Sequence, residues 1–452
     1  MFVLTERVVR GAIGLSGGSD HRYSAVSTDT RTLTPGSLFV ALCGDRFDGH
    51  DFLAQARDAG AVAAIVRTGT PPVAGLVFHE VADTLRAYGL LARARRRTLP
   101  GPVIVVTGTN GKTSTKEMVA AVLRTRYRTH ATRANLNNLV GVPQTILEAD
   151  PDVEALVVEA GANLPGEIAR YREITEPSLA IVANAVAGHL EGFGSLQAVM
   201  DEKLSLTREV PLVLVGLEPG GLAQGARALG AGTVLTVGLR SADLSPETVT
   251  LGPDGHPSVT VDGRTFVLPL LGLHQAANAL FAWGVARLLG LDLDAAARAL
   301  EQVRIPGGRG ELLRVGGLTI INDSYNANPQ SFRAVIEVAR QLRGTRRLVF
   351  VAGTMLELGD DQARWHHDIA ERLVALEPDI LAAVGEFVPA LAPWAAALGD
   401  RLLTAADVPT LGPLLAERLR GDELVVLKAS RGVALERILP AIRSRAAPSA
   451  EV

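Results

Sequence analysis

Short apolar runs without alternation constrain this chain more than any other feature. Val103–Val106, Ala155–Val158, Leu179–Val182 and Leu212–Val215 each place four apolar residues in a row, with helical patterns between most of them. A strand with one wet face alternates, whereas a strand covered on both faces does not, so these runs predict a parallel sheet layered by helices. A second series comes after Arg309: Leu348–Val351, Ile380–Val384 and Leu424–Leu427, again alternating with helical segments. Between Leu235 and Leu271 the texture changes to Val259-Thr260-Val261, Asp262-Gly263 and Thr265-Phe266-Val267. Asp-Gly between short strands predicts a type I′ hairpin, and hence an antiparallel excursion of the central sheet.

At 452 residues the chain has room for about three domains of ~150 residues each. The expected fold class is α/β: a small α/β N-terminal domain (1–99), a central P-loop-type, mostly parallel domain (100–308) and a Rossmann-like α/β C-terminal domain (309–452). The first segment carries the apolar runs Leu38–Leu42 and Ala61–Val66. It ends in Arg93-Ala94-Arg95-Arg96-Arg97, read as the solvated end of a helix before a Leu99-Pro100-Gly101-Pro102 linker. The tail from Ala447 reads as frayed.

A net charge of -3 gives no global field to draw nucleic acid or an acidic membrane. No run approaches the ~20 apolar residues of a membrane span, and Met1–Gly11 lacks a signal-peptide pattern. A single cysteine, Cys43, cannot form an intramolecular disulfide and suits a reducing cytoplasm.

The first buried run leads directly into Thr107-Gly108-Thr109-Asn110-Gly111-Lys112-Thr113-Ser114-Thr115-Lys116. The next stretch reads as a helix with Met118, Val119, Val122 and Leu123 on one face. Glycines let backbone N–H groups close around phosphate oxygens, and the helix N-terminus favours negative charge. Lys112 is placed to reach terminal phosphates and the Thr113 hydroxyl to ligate Mg²⁺, so the segment predicts an ATP site. It departs from the full eight-residue phosphate-loop pattern, which wants glycine where Val106 stands.

Open α/β sheets bind ligands at the carboxyl ends of their strands. Glu159 and Asn184 fall there, and His189 comes soon after in His-Leu-Glu-Gly-Phe-Gly-Ser195. A carboxylate and an imidazole beside a nucleotide suit metal ligation or proton transfer; a helix cap and a satisfied loop histidine are their bland alternatives. The amide-rich Asn135–Pro143 segment, with Asn137 and Asn138, could hold an acyl or phosphate oxygen or cap the following helix.

Of 45 basic residues, all but Lys112, Lys116, Lys203 and Lys428 are arginine. Arginine replaces a generic solvated lysine cheaply but not one whose compact or titratable amine is needed. Lys203, in Asp201-Glu202-Lys203, otherwise reads as an ordinary solvated lysine.

Taken together the motifs resemble the Mur ligases, ATP-dependent amide-bond ligases of peptidoglycan synthesis, over nearly the whole chain. They are Ser27-Thr-Asp29-Thr-Arg31, Pro35–Leu42, Arg46-Phe-Asp48-Gly49-His50-Asp-Phe52, the phosphate loop, Asn135–Pro143, Glu159–Glu167, His189–Ser195, Ile321–Pro329, Gly353–Gly359 and Lys428-Ala-Ser-Arg431. Within the family, Asp323-Ser-Tyr325-Asn326-Ala-Asn-Pro329 is typical of members that add D-alanyl-D-alanine to UDP-N-acetylmuramoyl-tripeptide. The Asp-Asn-Pro-Arg motif of the diaminopimelate-adding members is absent.

The resemblance implies ATP and Mg²⁺ as cofactors, with nucleotide contacts from Gly108, Thr109, Asn110, Gly111, Lys112, Thr113, Ser114, His274, Asn278, Arg309 and Asp323. It implies Mg²⁺ ligation by Thr113, Glu159 and His189, and a carbamylated Lys203 orienting the metal. Lys112, Glu159, His189, Lys203 and Arg309 are the implied catalytic set. Ser27, Asp29, Arg31, Asp48, Gly49, His50, Asn137, Asn138, Tyr325 and Asn326 are the implied substrate contacts. Ser114, Asn322, Gly188 and Ala429 depart from the commonest family residues, all conservatively. A cytoplasmic monomer is expected. The rivals are a related ligase that adds a single amino acid and a P-loop phosphotransferase or nucleotide-binding module without ligase activity.

Overall fold

The computed structural model describes residues 4–44, 47–188 and 190–444. Arg46, His189 and the tail from Ala447 therefore lie outside the described residues. The chain divides into two compact units, one of residues 1–106, 127–162 and 166–180, the other of residues 107–126, 163–165 and 181–452.

Nineteen strands among the described residues form four sheets. The first runs β1 (Val26–Ser27), β2 (Ser37–Val40), β3 (Ala61–Arg67), β4 (Val77–Val81), all parallel. The second uses β5 (Val103–Thr107), β6 (Thr129–Ala131), β7 (Ala155–Glu159), β8 (Leu179–Val182), β9 (Leu212–Val215) and β10 (Thr233–Thr236) in the order β10-β9-β8-β5-β7-β6. Its β10–β9, β5–β7 and β6–β7 pairings are parallel. Every residue of β5, β7 and β8 is buried, which is why the runs do not alternate.

The antiparallel piece departs from expectation. β11 (Thr248–Leu251), β12 (Pro257–Val261) and β13 (Arg264–Val267) form a separate three-stranded sheet rather than an extension of the central one. The two-residue turn is as expected, with Asp262 and Gly263 both at positive φ (48° and 69°) between paired Val261 and Arg264. What turns this hairpin away from the central sheet is its own core. β12 alternates buried and half-buried residues, Phe266 stacks on Trp283 of the helix Leu273–Leu288 at 5.6 Å, and the Trp283 indole N–H donates to Asp262 at 2.8 Å.

The last sheet contains β14 (Glu311–Val315), β15 (Leu318–Asp323), β16 (Leu348–Ala352), β17 (Ile380–Val384), β18 (Leu402–Ala405) and β19 (Leu424–Lys428), ordered β14-β15-β19-β16-β17-β18. Only the edge strand β14 runs antiparallel to its neighbour. Apolar clusters cover both faces, around Phe332, Phe350 and Phe387 on one and Leu411, Leu415 and Leu435 on the other.

Only the last residue of the arginine run, Arg97, is exposed; the others are buried or half-buried. The run closes the helix Thr84–Arg96, where Arg95 is only 4% exposed and donates to the carbonyls of Ala149 (3.1 Å) and Asp150 (2.9 Å). Arg96 donates to the carbonyls of Thr175 and Glu176, while Arg93 and Arg97 pair with the Glu176 carboxylate. Carbonyls left over at the ends of two other helices, Gly141–Leu147 and Glu167–Thr175, need donors, and long guanidinium side chains supply them.

Candidate active site

β5 delivers the chain into the phosphate loop, and the helix Lys112–Leu123 leaves it with Met118, Val119, Val122 and Leu123 fully buried. Gly111, immediately before the helix, sits at φ 77°, and a Cβ there would lie 2.5 Å from the Asn278 Oδ1. Glycine is required twice over: for the left-handed backbone and for the close approach of Asn278. Asn278 is itself held by Gln275, to which its amide donates at 3.1 Å.

Asn184, just past β8, braces the loop. Its Oδ1 accepts from the backbone N–H groups of Thr109 (3.1 Å) and Asn110 (2.9 Å), and its Nδ2 donates to the Asn110 carbonyl at 3.1 Å. The Thr109 hydroxyl donates to the Val186 carbonyl, and the Lys112 ammonium to the carbonyls of Gly108 and Thr109. With two loop amides engaged by Asn184, the amides at Lys112, Thr113 and Ser114 are the ones that open the helix without a carbonyl one turn earlier. Those amides, with the Thr113 hydroxyl, can receive phosphate oxygens. Sequence reasoning placed Asn184 at a strand end but did not foresee that it shapes the loop.

The Asn110 side chain is bonded to Asn328: Asn110 Nδ2 donates to Asn328 Oδ1 at 3.3 Å and Asn328 Nδ2 to Asn110 Oδ1 at 2.5 Å. Asn328 closes the Asp323–Pro329 motif and caps the helix Pro329–Arg343. In the same motif Asp323 ends β15 opposite Lys428 at the end of β19, and the Lys428 ammonium donates to Asp323 Oδ2 (2.6 Å) and the Asn326 carbonyl (2.7 Å). Lys428 is 2% exposed, so this lysine holds the motif's shape from beneath. The guanidinium of Arg309 stacks 3.5 Å from the Tyr325 ring centroid, with Arg431 farther out at 5.8 Å. His274 is exposed in the first turn of the helix Leu273–Leu288, within the electrostatic reach of Asp323 and Lys428.

Lys203 is 1% exposed near the end of the helix Leu196–Leu204, its ammonium 5.9 Å from the Phe193 ring centroid. The ordinary solvated lysine is thereby overturned. Lys116 is equally buried and pairs with Glu117 at 2.5 Å. Phosphate loop, Lys203, Asn278, Arg309 and Asp323 all belong to the second unit.

His274, Tyr325 and Asn326 belong to the second unit too, whereas Glu159, Asn137, Asn138 and the Ser27–Arg31 and Asp48–His50 segments lie in the first. Glu159 ends β7, 2% exposed; its Oε1 accepts from Asn137 at 2.8 Å, while its buried Oε2 has no hydrogen-bond partner among the described residues. A buried carboxylate oxygen without a donor fits a cation. Asn138 accepts from the N–H groups of Val140 and Gly141, the helix-capping alternative.

Ser27 closes a turn with Asp29 through its hydroxyl. Hydrogen bonds from the Arg31 side chain and backbone lower the Asp29 carboxyl to about 2. Asp48 is also near 2, held there by hydrogen bonds from the His50 backbone and side chain. His50 accepts the Arg67 N–H on Nε2, so its Nδ1 carries the proton given to Asp48. A Cβ on Gly49 would lie 2.7 Å from the Leu42 carbonyl oxygen, which fixes glycine there.

Family models match three successive segments of the chain. Residues 22–96 match the Mur ligase family catalytic domain, 106–286 the Mur ligase middle domain and 308–431 the Mur ligase glutamate ligase domain. The UDP-N-acetylmuramoyl-tripeptide–D-alanyl-D-alanine ligase of Bacillus subtilis (strain 168) is 34% identical over 427 residues, 92% of each chain. The crystal structure of MurF from Acinetobacter baumannii superposes with a TM-score of 0.89 at 29% identity, covering 98% of this chain and 99% of that one. MurF ligase from Thermotoga maritima, in complex with ADP, gives 0.83 at 27% identity over 93% and 97%. With all three segments matched in order along the chain, the protein belongs to the Mur ligase family.

Proposed function

We propose that this chain is the ATP-dependent ligase that joins D-alanyl-D-alanine to UDP-N-acetylmuramoyl-tripeptide, in peptidoglycan precursor synthesis in the cytoplasm. The observation that carries the reading is the bond from phosphate-loop Asn110 to Asn328, which ties the loop to the motif bearing Asp323 and Tyr325. A phosphotransferase with its nucleotide site in one domain has no use for such a tie. A ligase that must bring an acyl phosphate to an amine does. The domains are taken as 1–99 for the UDP-sugar, 100–308 for ATP and 309–452 for the amine and further nucleotide contacts.

The substrate carboxylate attacks the γ-phosphorus of ATP, the bond to the bridging oxygen breaks, and ADP leaves. Lys112 and Arg309 offset the charge on the transferred phosphoryl group, as the loop amides do. The free amine of the dipeptide then attacks the acyl carbon, loses a proton, and inorganic phosphate departs as the amide forms. Glu159, with Thr113, His189 and Lys203 as its carbamate, would hold Mg²⁺, which supplies positive charge opposite the phosphates when bound. A buried ammonium would repel that cation, whereas a carbamate formed from CO₂ is anionic. Ser27, Asp29, Arg31, Asp48, Gly49 and His50 serve the UDP-sugar. Asn137 orients Glu159 and Asn138 shapes the loop beside it, while Tyr325 and Asn326 face the peptide substrates. His274, Asn278 and Asp323 complete the nucleotide contacts.

The chain acts as a monomer without nucleic acid or stable membrane insertion; no helix of the described residues is long and apolar enough to cross a membrane. The deciding assay is ADP release with UDP-N-acetylmuramoyl-tripeptide, comparing D-alanyl-D-alanine with single amino acids. Stimulation by the dipeptide is expected. Stimulation by a single amino acid alone would assign a sister ligase, and indifference to every amine would remove the ligase reading.

A further inference from the structure

Asn110 has a second partner beside Asn328. Its Nδ2 also donates to Gln330 Oε1 at 2.6 Å, and Gln330 Nε2 continues to Glu218 Oε2 at 2.5 Å. Glu218 lies just beyond β9, and its carbonyl accepts the N–H of Ala185, next to the Asn184 that braces the loop. The loop beyond β5 and the segment beyond β9 therefore converge on one helix N-terminus of the C-terminal domain. Asn110 reaches that terminus from the phosphate loop and Glu218 reaches it from beyond β9.

A primary amide presents a donor and an acceptor in fixed directions, so the two-way Asn110–Asn328 pair sets orientation as well as distance. Asn328 is simultaneously pinned by its capping box, its side chain accepting from the Ser331 N–H at 2.9 Å and its own N–H donating to the Ser331 hydroxyl at 3.0 Å. Neither Gln330 nor Glu218 belongs to the proposed nucleotide, metal or substrate contacts.

We infer that Gln330, bridged between Asn110 and Glu218, is a positioning residue that sets the register of the Asp323 segment on the phosphate loop, so that one nucleotide meets both. This deepens the nucleotide reading given above and rests on it. A ligand spanning loop and segment, such as ADP, depends on the register; inorganic tripolyphosphate, which the loop alone can hold, does not.

The test is calorimetric binding to the full chain. Gln330→Glu keeps an acceptor toward Asn110 but loses the donor to Glu218 and sets two carboxylates face to face. ADP affinity is expected to fall about fivefold to tenfold, with tripolyphosphate affinity unchanged. Adding Glu218→Gln to Gln330→Glu reverses donor and acceptor and is expected to restore ADP binding to within about twofold. Gln330→Ala removes both bonds without adding charge; it gives a smaller loss and carries the test should Gln330→Glu not fold. ADP affinity unchanged in the single variants, no rescue in the reversed pair, or equal weakening of tripolyphosphate would each overturn the positioning role. A wild-type chain that binds no ADP would instead remove the nucleotide reading, and the positioning role with it.

Discussion

Asn184→Ala is the sharpest test of how the phosphate loop is built. The substitution deletes three hydrogen bonds, two from the backbone N–H groups of Thr109 and Asn110 and one to the Asn110 carbonyl. At about 0.5–1.5 kcal/mol net each, their sum is about 1.5–4.5 kcal/mol. Asn184 is half-buried, so water takes over part of the role and the lower half of that range applies. The loop does not collapse, because the Thr109 N–H to Asn184 carbonyl bond and the Thr109 hydroxyl to Val186 bond both survive. If about 2 kcal/mol of loop order must be restored when phosphate binds, the ADP dissociation constant rises about 30-fold. Isothermal calorimetry with ADP reads this directly, with UDP-substrate affinity as the internal control. Asn184→Asp keeps the two N–H acceptors but sets a carboxylate against the Asn110 carbonyl, and it should bind ADP no better than the alanine variant. ADP affinity within twofold of wild type in Asn184→Ala would refute the bracing role.

Three further outcomes are expected from particular contacts. Lys203→Ala should lose ligase activity and regain part of it with short-chain carboxylic acids; a fully active variant would end the carbamate proposal. Arg95→Met should lower the unfolding free energy by about 2–3 kcal/mol, because it leaves the buried Ala149 carbonyl and the part-buried Asp150 carbonyl without their donor, whereas Arg97→Ala should cost under about 1 kcal/mol at its exposed ion pair. Equal shifts in the urea midpoint for the two variants would count against that contrast. Burial pushes the His366 imidazole below 6.5, and both ring nitrogens are already bonded, to the Gln362 carbonyl and the Met355 N–H. Below pH 6.5 the unfolded chain therefore binds a proton that the folded chain refuses. Its contribution is complete above that pH and is lost on acidification, at up to about 1.4 kcal/mol per pH unit. A His366→Asn variant whose stability falls as steeply as wild type between pH 7 and 5 would show that the decline lies elsewhere.

Burial of β5, β7 and β8 on both faces was written in their unbroken apolar runs, and the phosphate loop was legible because glycine, lysine and hydroxyl residues stand in order between a strand and a helix. The Asp262-Gly263 hairpin was legible for the same reason: left-handed φ is a local demand on residue type. All of these are properties of neighbours along the chain. What the local pattern misread was decided by distant partners. The arginine run looks solvated until the carbonyl ends of two other helices arrive to claim it, and the hairpin joins the central sheet until Phe266 finds Trp283.

Lys203 shows the boundary between the two kinds of information. Scarcity of lysine singled it out among 41 arginines, but its burial to 1% exposure is a matter of packing. The Asn110–Asn328–Gln330 network lies wholly on the far side of that boundary, joining residues 218 and 220 positions apart. Chain composition and periodicity determine which segments become buried strands and where a phosphate loop can form, because those depend on short-range backbone sterics and on solvent exclusion. Which amides and ammonium groups meet depends on how the folded elements pack, and that is settled only when the tertiary structure brings their donors and acceptors within reach.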